Sequence, residues 1–359
     1  MRIREAEFER KLAQTGLRQL PDLLQALPDE TARLARLCYA ASPAGDWLDT
    51  PPEVFFSCAA HARYLRENVS WTRTLPEPLF LAYVLHPRVN NEALCDCRPV
   101  FYAALAERLR GLPEEAAILE INRWCAEHVV YQPTDERTRS ALAVLRAGFG
   151  RCGEESMFAV NVLRACGFAA RQVYVPRWAH CDDNHAWVEV RCGGAWHFLG
   201  ACEPEAVLDR GWFNSAAGRA VLVHSRCFGE PEPGADLIGR EGDVVYCNET
   251  ARYADVRRLT VRVTDENGMS AAGADVDFCV LNNCEWYPAA TVQTDASGMA
   301  ALTCGLGSLR LLARRDGLCC EAFVSPEETG PVVLTLGKRA PASDRWETIE
   351  LTAPRGGAV

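Results

Sequence analysis

Cys152 is the residue of this sequence whose setting could support nucleophilic chemistry. It stands in Gly148-Phe149-Gly150-Arg151-Cys152-Gly153-Glu154-Glu155, where an amphipathic pattern from Glu154 to Ala165 begins. A helix N-terminus offers unpaired backbone N–H groups and a positive dipole end, and both favour thiolate over thiol. A thiol nucleophile also needs an imidazole that takes its proton and later gives one to the leaving group. His185 lies 33 positions on, at the head of Ala186-Trp187-Val188-Glu189-Val190, a strand-like alternation. The other six histidines, His61, His86, His128, His180, His197 and His224, lack that setting. The remaining 16 of the 17 cysteines are expected to be free thiols packed as small hydrophobes. Cys95/Cys97, Cys279/Cys284 and Cys319/Cys320 do not form the two matching pairs of a zinc knuckle. Neither metal nor cofactor is expected.

The elements that must position these two residues follow from periodicity. Up to Leu112 the pattern is helical, with leucines at positions 17, 20, 23, 24 and 27, a break at Asp49-Thr50-Pro51-Pro52, and a further amphipathic stretch after Pro99. Pro113-Glu114-Glu115 opens another helix, stopped by Tyr131-Gln132-Pro133, and the Cys152 helix ends at Cys166-Gly167. The period then changes. Ala170–Val175, Ala186–Val190 and Trp196–Leu199 read as strands, the last two joined by a Gly193-Gly194 turn. Beyond the loop Glu230-Pro231-Glu232-Pro233-Gly234 the text turns to seven short alternating segments between Leu259 and Leu336, expected as a small β-sandwich. Asp265-Glu266-Asn267-Gly268 lacks the ligand spacing of a calcium loop and is expected to be a turn. The expected class is α+β: a helical segment (1–112), a core with a helix-borne Cys and an antiparallel sheet (113–245), a β-sandwich (255–337) and a tail (338–359).

Several separated blocks together resemble the transglutaminase-like superfamily. They are Tyr131, the Gly148–Ser156 run, Leu163-Arg164-Ala165-Cys166-Gly167-Phe168, His185-Ala186-Trp187-Val188-Glu189-Val190, and Trp196, in that order, over about a quarter of the chain. The resemblance implies a papain-like Cys–His–acid site, with Tyr131 as an oxyanion donor beside the Cys152 backbone N–H. The family's acid, four residues after the second-strand Trp, falls on Gly200. Glu203 and Glu205 are the nearest substitutes, and Glu203 is favoured because Pro204 stiffens the chain beside it. Pro176–Asn184, leading into His185, is expected to rim a cleft for a peptide or protein, with Trp178 and Trp187 as substrate contacts. The C-terminal segment resembles Ig-like or transthyretin-like domains, which implies spacing or partner binding. The expected activity is hydrolysis of amide bonds through an acyl-enzyme on Cys152. Amine transfer to protein glutamine and a silent binding scaffold are the alternatives.

Composition bounds these expectations. With 38 Lys+Arg against 48 Asp+Glu the net charge is −10, which disfavours nucleic acid as a partner. Hydrophobic residues at 48% and charged ones at 24% exclude disorder, and 359 residues call for two or three units. The charged start Met1–Arg10 does not read as an export signal, and no stretch is apolar enough to span a bilayer, so a reducing, cytoplasmic setting is expected.

Overall fold

The computed structural model describes residues 2–135 and 137–337, so the expected tail lies outside the described residues. The N-terminal part is helical: α1 (Arg2–Thr15), α2 (Leu20–Gln25), α3 (Asp29–Ala41), α4 (Ala44–Asp49), α5 (Pro52–Asn68), α6 (Ser70–Arg73) and α7 (Glu77–Phe80), which runs into a π-helical turn at Leu81–Leu85. Prolines sit at or just before several helix starts, where a missing N–H costs nothing. Phe8, Tyr39, Trp47 and Phe55 form the aromatic centre of this part, Tyr39 stacking on Phe55 at 4.2 Å. Lys11 is fully buried, and its ammonium is matched by Ala40 O at 2.9 Å, Ser42 O at 2.7 Å and the Asp243 carboxylate at 2.7 Å. That pairing is what a buried charge requires, and it ties α1 to the far end of the core sheet.

α8 (Arg98–Leu109) and α9 (Glu114–His128) pack with α11 (Cys152–Ala165) in one apolar cluster, so the expected boundary at 112/113 separates two helices of the same core. Between α9 and α11 come β1 (Val130–Tyr131), α10 (Ala141–Ala147) and β2 (Phe149–Gly150). Ser140 caps α10, accepting the Ala143 N–H at 3.3 Å, and Gly148 ends it at φ 75°, a conformation that favours glycine. After α11 come β3 (Ala170–Val175), β4 (His185–Cys192), β5 (Ala195–Leu199), the short α12 (Asn214–Ala217), β6 (His224–Phe228), β7 (Leu237–Glu241) and β8 (Val244–Asn248). The sheet is antiparallel, in the order β5-β4-β3-β6-β8-β7. α11 is buried along almost its whole length and lies across β3 and β4. The other face of β4 is closed by Phe213 and Tyr253, so seven of its eight residues are buried. Glu189, fully buried in this strand, is matched by Arg171 at 2.8 Å, Arg252 at 2.7 Å and the Tyr253 hydroxyl at 2.6 Å.

The last seven strands are β9 (Val256–Thr264), β10 (Asp275–Asn282), β11 (Glu285–Gln293), β12 (Met299–Gly305), β13 (Leu309–Arg315), β14 (Leu318–Val324) and β15 (Val332–Thr335), one for each expected segment. They form two sheets, β11-β10-β13-β14 and β12-β9-β15, around Leu259, Val261, Phe278 and Leu311. This unit touches the core where it matters. Asn282 at the end of β10 donates to the carbonyls of Trp178 at 2.9 Å, Cys181 at 2.8 Å and Asp183 at 3.2 Å, in the loop that leads into His185. Among the described residues no helix is long and apolar enough to cross a membrane.

Candidate active site

Cys152 is the first residue of α11, and the turn before it is held from several sides. Glu154 is fully buried and accepts from the Arg151 N–H at 3.3 Å, the Arg139 guanidinium at 2.8 Å and the Thr134 hydroxyl at 2.8 Å. Burial works against this carboxylate's charge, but those donors hold it below the ordinary carboxylate range. Gln172 of β3 donates to Gly153 O at 2.9 Å and to the Ser156 hydroxyl at 2.7 Å, fixing the first turn of α11 to the sheet. The Cys152 thiol is half-buried. Burial raises its pKa, while the backbone N–H groups of Ala186 and Gly153 and the nearby Arg151 pull it down. Ala186 directly follows His185, so the sulfur meets β4 at the histidine's own end.

The His185 imidazole is mostly buried, among Trp212 at 4.9 Å, Phe213 at 5.1 Å and Trp187 at 5.8 Å between ring centres. Its Nε2 is buried without a hydrogen-bond partner. Burial pushes its pKa down to about 4, with the Asp183 charge acting the other way. At neutral pH the pair therefore rests as thiol and neutral imidazole.

Glu203 reaches the site differently from the expectation that it would bond His185. Among the described residues no carboxylate hydrogen-bonds that imidazole; Glu203 instead accepts the Trp212 indole N–H at 2.9 and 3.0 Å, and the indole packs on the His185 ring. A side chain at Gly200 would overlap the Glu203 carboxylate, so this acid occupies the space beside the position where the family's Asp was expected. Asn122 of α9 staples the turn: its amide donates to Gly200 O at 2.9 Å and Glu203 O at 3.2 Å and accepts the Cys202 N–H at 3.0 Å. Glu205 points elsewhere, to Arg210 at 3.5 Å.

The remaining expected residues divide. Tyr131 pairs with Gly150 and is 61% exposed, and its hydroxyl pKa is raised by partial burial and by its nearness to the ionisable groups of Cys152, Asp183 and Glu155. Trp178 and Trp187, expected to contact substrate, are core residues instead. They are 3% and 0% exposed, and the Trp187 N–H is spent on the Tyr253 hydroxyl at 3.0 Å. Both faces of β4 are covered, so alternation along the strand does not bring Trp187 to solvent.

Three further groups matter. Glu155, one helical turn after Cys152, is 4% exposed, and burial together with the Glu203 and Glu154 charges raises its carboxyl to about 8. Its spacing from Cys152 was the available signal, since residues three apart share a helix face. Trp212 lies in an irregular loop and had no signal. Cys95 is drawn down to about 6 by hydrogen bonds from Cys97, from Ser140 and from the first N–H groups of α10, which outweigh its burial. Among the described residues no group of three or more His, Cys, Asp or Glu side chains is gathered as metal donors.

The model of the transglutaminase-like superfamily matches residues 103–201. This segment is a transglutaminase-like domain. The match begins within α8 and stops before Glu203, so the displaced acid and Trp212 lie beyond the matched part of the transglutaminase-like domain. The chain is also similar to the solved structure of a "Putative Cysteine Protease" from Cytophaga hutchinsonii, at 14% identity and a TM-score of 0.30, over 52% of this chain and 68% of that one. No curated protein matches the chain.

Proposed function

We propose that the chain hydrolyses amide bonds of a peptide or protein through an acyl-enzyme on Cys152. The supporting observation is the Cys152 sulfur at the first turn of α11, against the backbone of Ala186, with the unpartnered Nε2 of His185 on the adjoining residue. In the proposed first step the sulfur attacks the amide carbonyl as its proton passes to His185. The tetrahedral oxyanion takes the Cys152 N–H and the Tyr131 hydroxyl as donors. Collapse breaks the C–N bond, and His185 returns the proton to the leaving amine. Water then attacks the thioester, giving up a proton to His185, and regenerates the thiol. Glu203 acts as a positioning residue, since its carboxylate holds the indole that packs on the imidazole.

The test is site-resolved alkylation combined with product analysis. Total thiol counting is uninformative, because Cys95, drawn down to about 6, and the exposed Cys181, Cys284 and Cys319 compete for the reagent. Peptide mapping should show Cys152 modified by a peptidyl electrophile, with labelling lost in His185→Ala while Cys95 still reacts. A peptide pool incubated with an added primary amine separates free-acid products, as proposed here, from amine incorporation. Equal Cys152 labelling in the wild type and His185→Ala would sink the proposal.

A further inference from the structure

A cleft of about 870 Å³ opens between the core sheet and the C-terminal sandwich. One wall is Tyr174 of β3, His224 and Arg226 of β6 and Tyr246 of β8; β11 with Tyr287 stands opposite. Arg226 is half-buried, with its guanidinium 5.5 Å from the Tyr174 ring and 5.7 Å from the Tyr246 ring. It donates to the Tyr174 hydroxyl at 3.0 Å and to the Asn90 side-chain carbonyl, and among the described residues it pairs with no carboxylate. Of the two acids of the lining, Glu241 accepts from the Tyr246 hydroxyl at 3.0 Å and Asp275 from Gln293 at 3.1 Å, and neither is within ion-pair distance of Arg226. His224 is 6% exposed, its ring centre is 4.0 Å from that of Tyr174, and its Nδ1 is buried with no partner. A guanidinium with no ion-pair partner, beside a buried imidazole nitrogen with no hydrogen-bond partner, on the wall of an open cleft can take an anionic group as a bidentate partner.

The cleft is in line with Cys152. Ala186 pairs with Tyr174, and Tyr174 pairs with His224, so the three lie in one cross-strand row. Directly paired residues project to the same face, which is the face α11 covers through Val188, Val190 and Gln172. Two strand spacings separate Ala186 from His224, roughly 10 Å, which about three residues of extended chain would span. We propose that this cleft is a substrate subsite in which Arg226, with His224 beside it, binds a carboxylate carried by an extended peptide about three residues from the amide attacked by Cys152. The inference rests on Cys152 being the nucleophile for the distance, but not for the binding.

The experiment reads binding on Cys152→Ala protein, so that a failure of the hydrolase reading leaves the readout intact. N-acetylated, C-amidated hexapeptide pools with one Glu at successive positions, and their Gln counterparts, are titrated by calorimetry at low salt. At one position the Glu pool should bind about tenfold more tightly than its Gln partner. Arg226→Met should abolish that ratio, Arg226→Lys should retain part of it, and Arg240→Met on the exposed rim should leave it intact. If Arg226→Met fails to fold, His224→Phe takes its place and should reduce the ratio. Equal binding of every Glu and Gln pair, or a ratio unmoved by both Arg226→Met and His224→Phe, overturns the proposal.

Discussion

Glu155→Gln should stabilise the protein, and increasingly so as pH rises. The Glu155 carboxyl is raised from 4.5 to about 8 by burial and by the neighbouring Glu203 and Glu154 charges. Between those two values the folded state holds a proton that the unfolded state has released. Stability therefore falls as pH climbs through this window, by at most ~1.4 kcal/mol per pH unit from this group. Full ionisation of so shifted a carboxyl corresponds to a ceiling of about 4–5 kcal/mol. Glutamine copies the neutral form in shape and carries no such penalty, and among the described residues no hydrogen bond of the Glu155 side chain is present to be lost. Urea unfolding from pH 7 to 8.5 is the assay, because the buried histidines, whose pKa values are lowered, are neutral there in both states. Glu155 should contribute a loss of about 1–2 kcal/mol across that interval, on top of what the buried thiols common to both proteins contribute, and Glu155→Gln should show a distinctly shallower slope. Parallel pH profiles for the two proteins would refute the argument.

Asn122→Ala should cost about 1–3 kcal/mol in chemical unfolding, since it leaves the buried Cys202 N–H unsatisfied and removes one of the donors to Gly200 O, and it should depress Cys152 labelling by loosening the Glu203 turn. Asn282→Ala should raise hydrogen exchange in the loop at 178–183 and slow Cys152 labelling while the sandwich stays folded. Trp212→Phe keeps a ring near His185 but removes the indole N–H, so it should lower reactivity of Cys152 with little change in stability, measured by labelling rate and melting temperature. On the acid side, burial lowers His185 to about 4 and His224 to about 3. Below about pH 6.5 the unfolded state binds protons that these folded groups refuse, so stability should fall as pH drops, at up to ~1.4 kcal/mol per pH unit for each. His224→Phe should flatten that acid limb in urea titrations between pH 6.5 and 4.5.

What could be read from the sequence was what local chemistry determines. The start of α11, its end at Gly167, the β4–β5 hairpin and the seven C-terminal strands each carry their own signal in period, turn residues or glycine. β6, β7 and β8 went unread because β7 is largely exposed and the three are too short to show a clear alternation. Trp178 and Trp187 were placed on the cleft because burial on the second face of β4 depends on Phe213 and Tyr253, remote in the chain. The hold of the sandwich on the loop before His185 was equally hidden, since it runs through Asn282, Asn283 and the packing of Arg177 on Tyr287, all about a hundred residues away in the chain.

Gly200 and Glu203 are best understood as one feature. A side chain at position 200 and the Glu203 carboxylate compete for the same volume, so glycine there is the condition for Glu203 to fold inward. Inward, the acid is brought close to Glu155, whose carboxyl is raised to about 8 by burial and by the Glu203 and Glu154 charges, while Glu203 is itself raised by burial and by Glu205 against the Trp212 N–H. Among the described residues no carboxylate hydrogen-bonds the imidazole, so none holds an imidazolium as a directly bonded acid would. That agrees with an imidazole whose proton affinity is low and with an indole standing between the acid and the ring. The arrangement suits a site in which His185 acts as a neutral base that gains its proton only as the sulfur attacks, rather than one that rests as a thiolate–imidazolium pair.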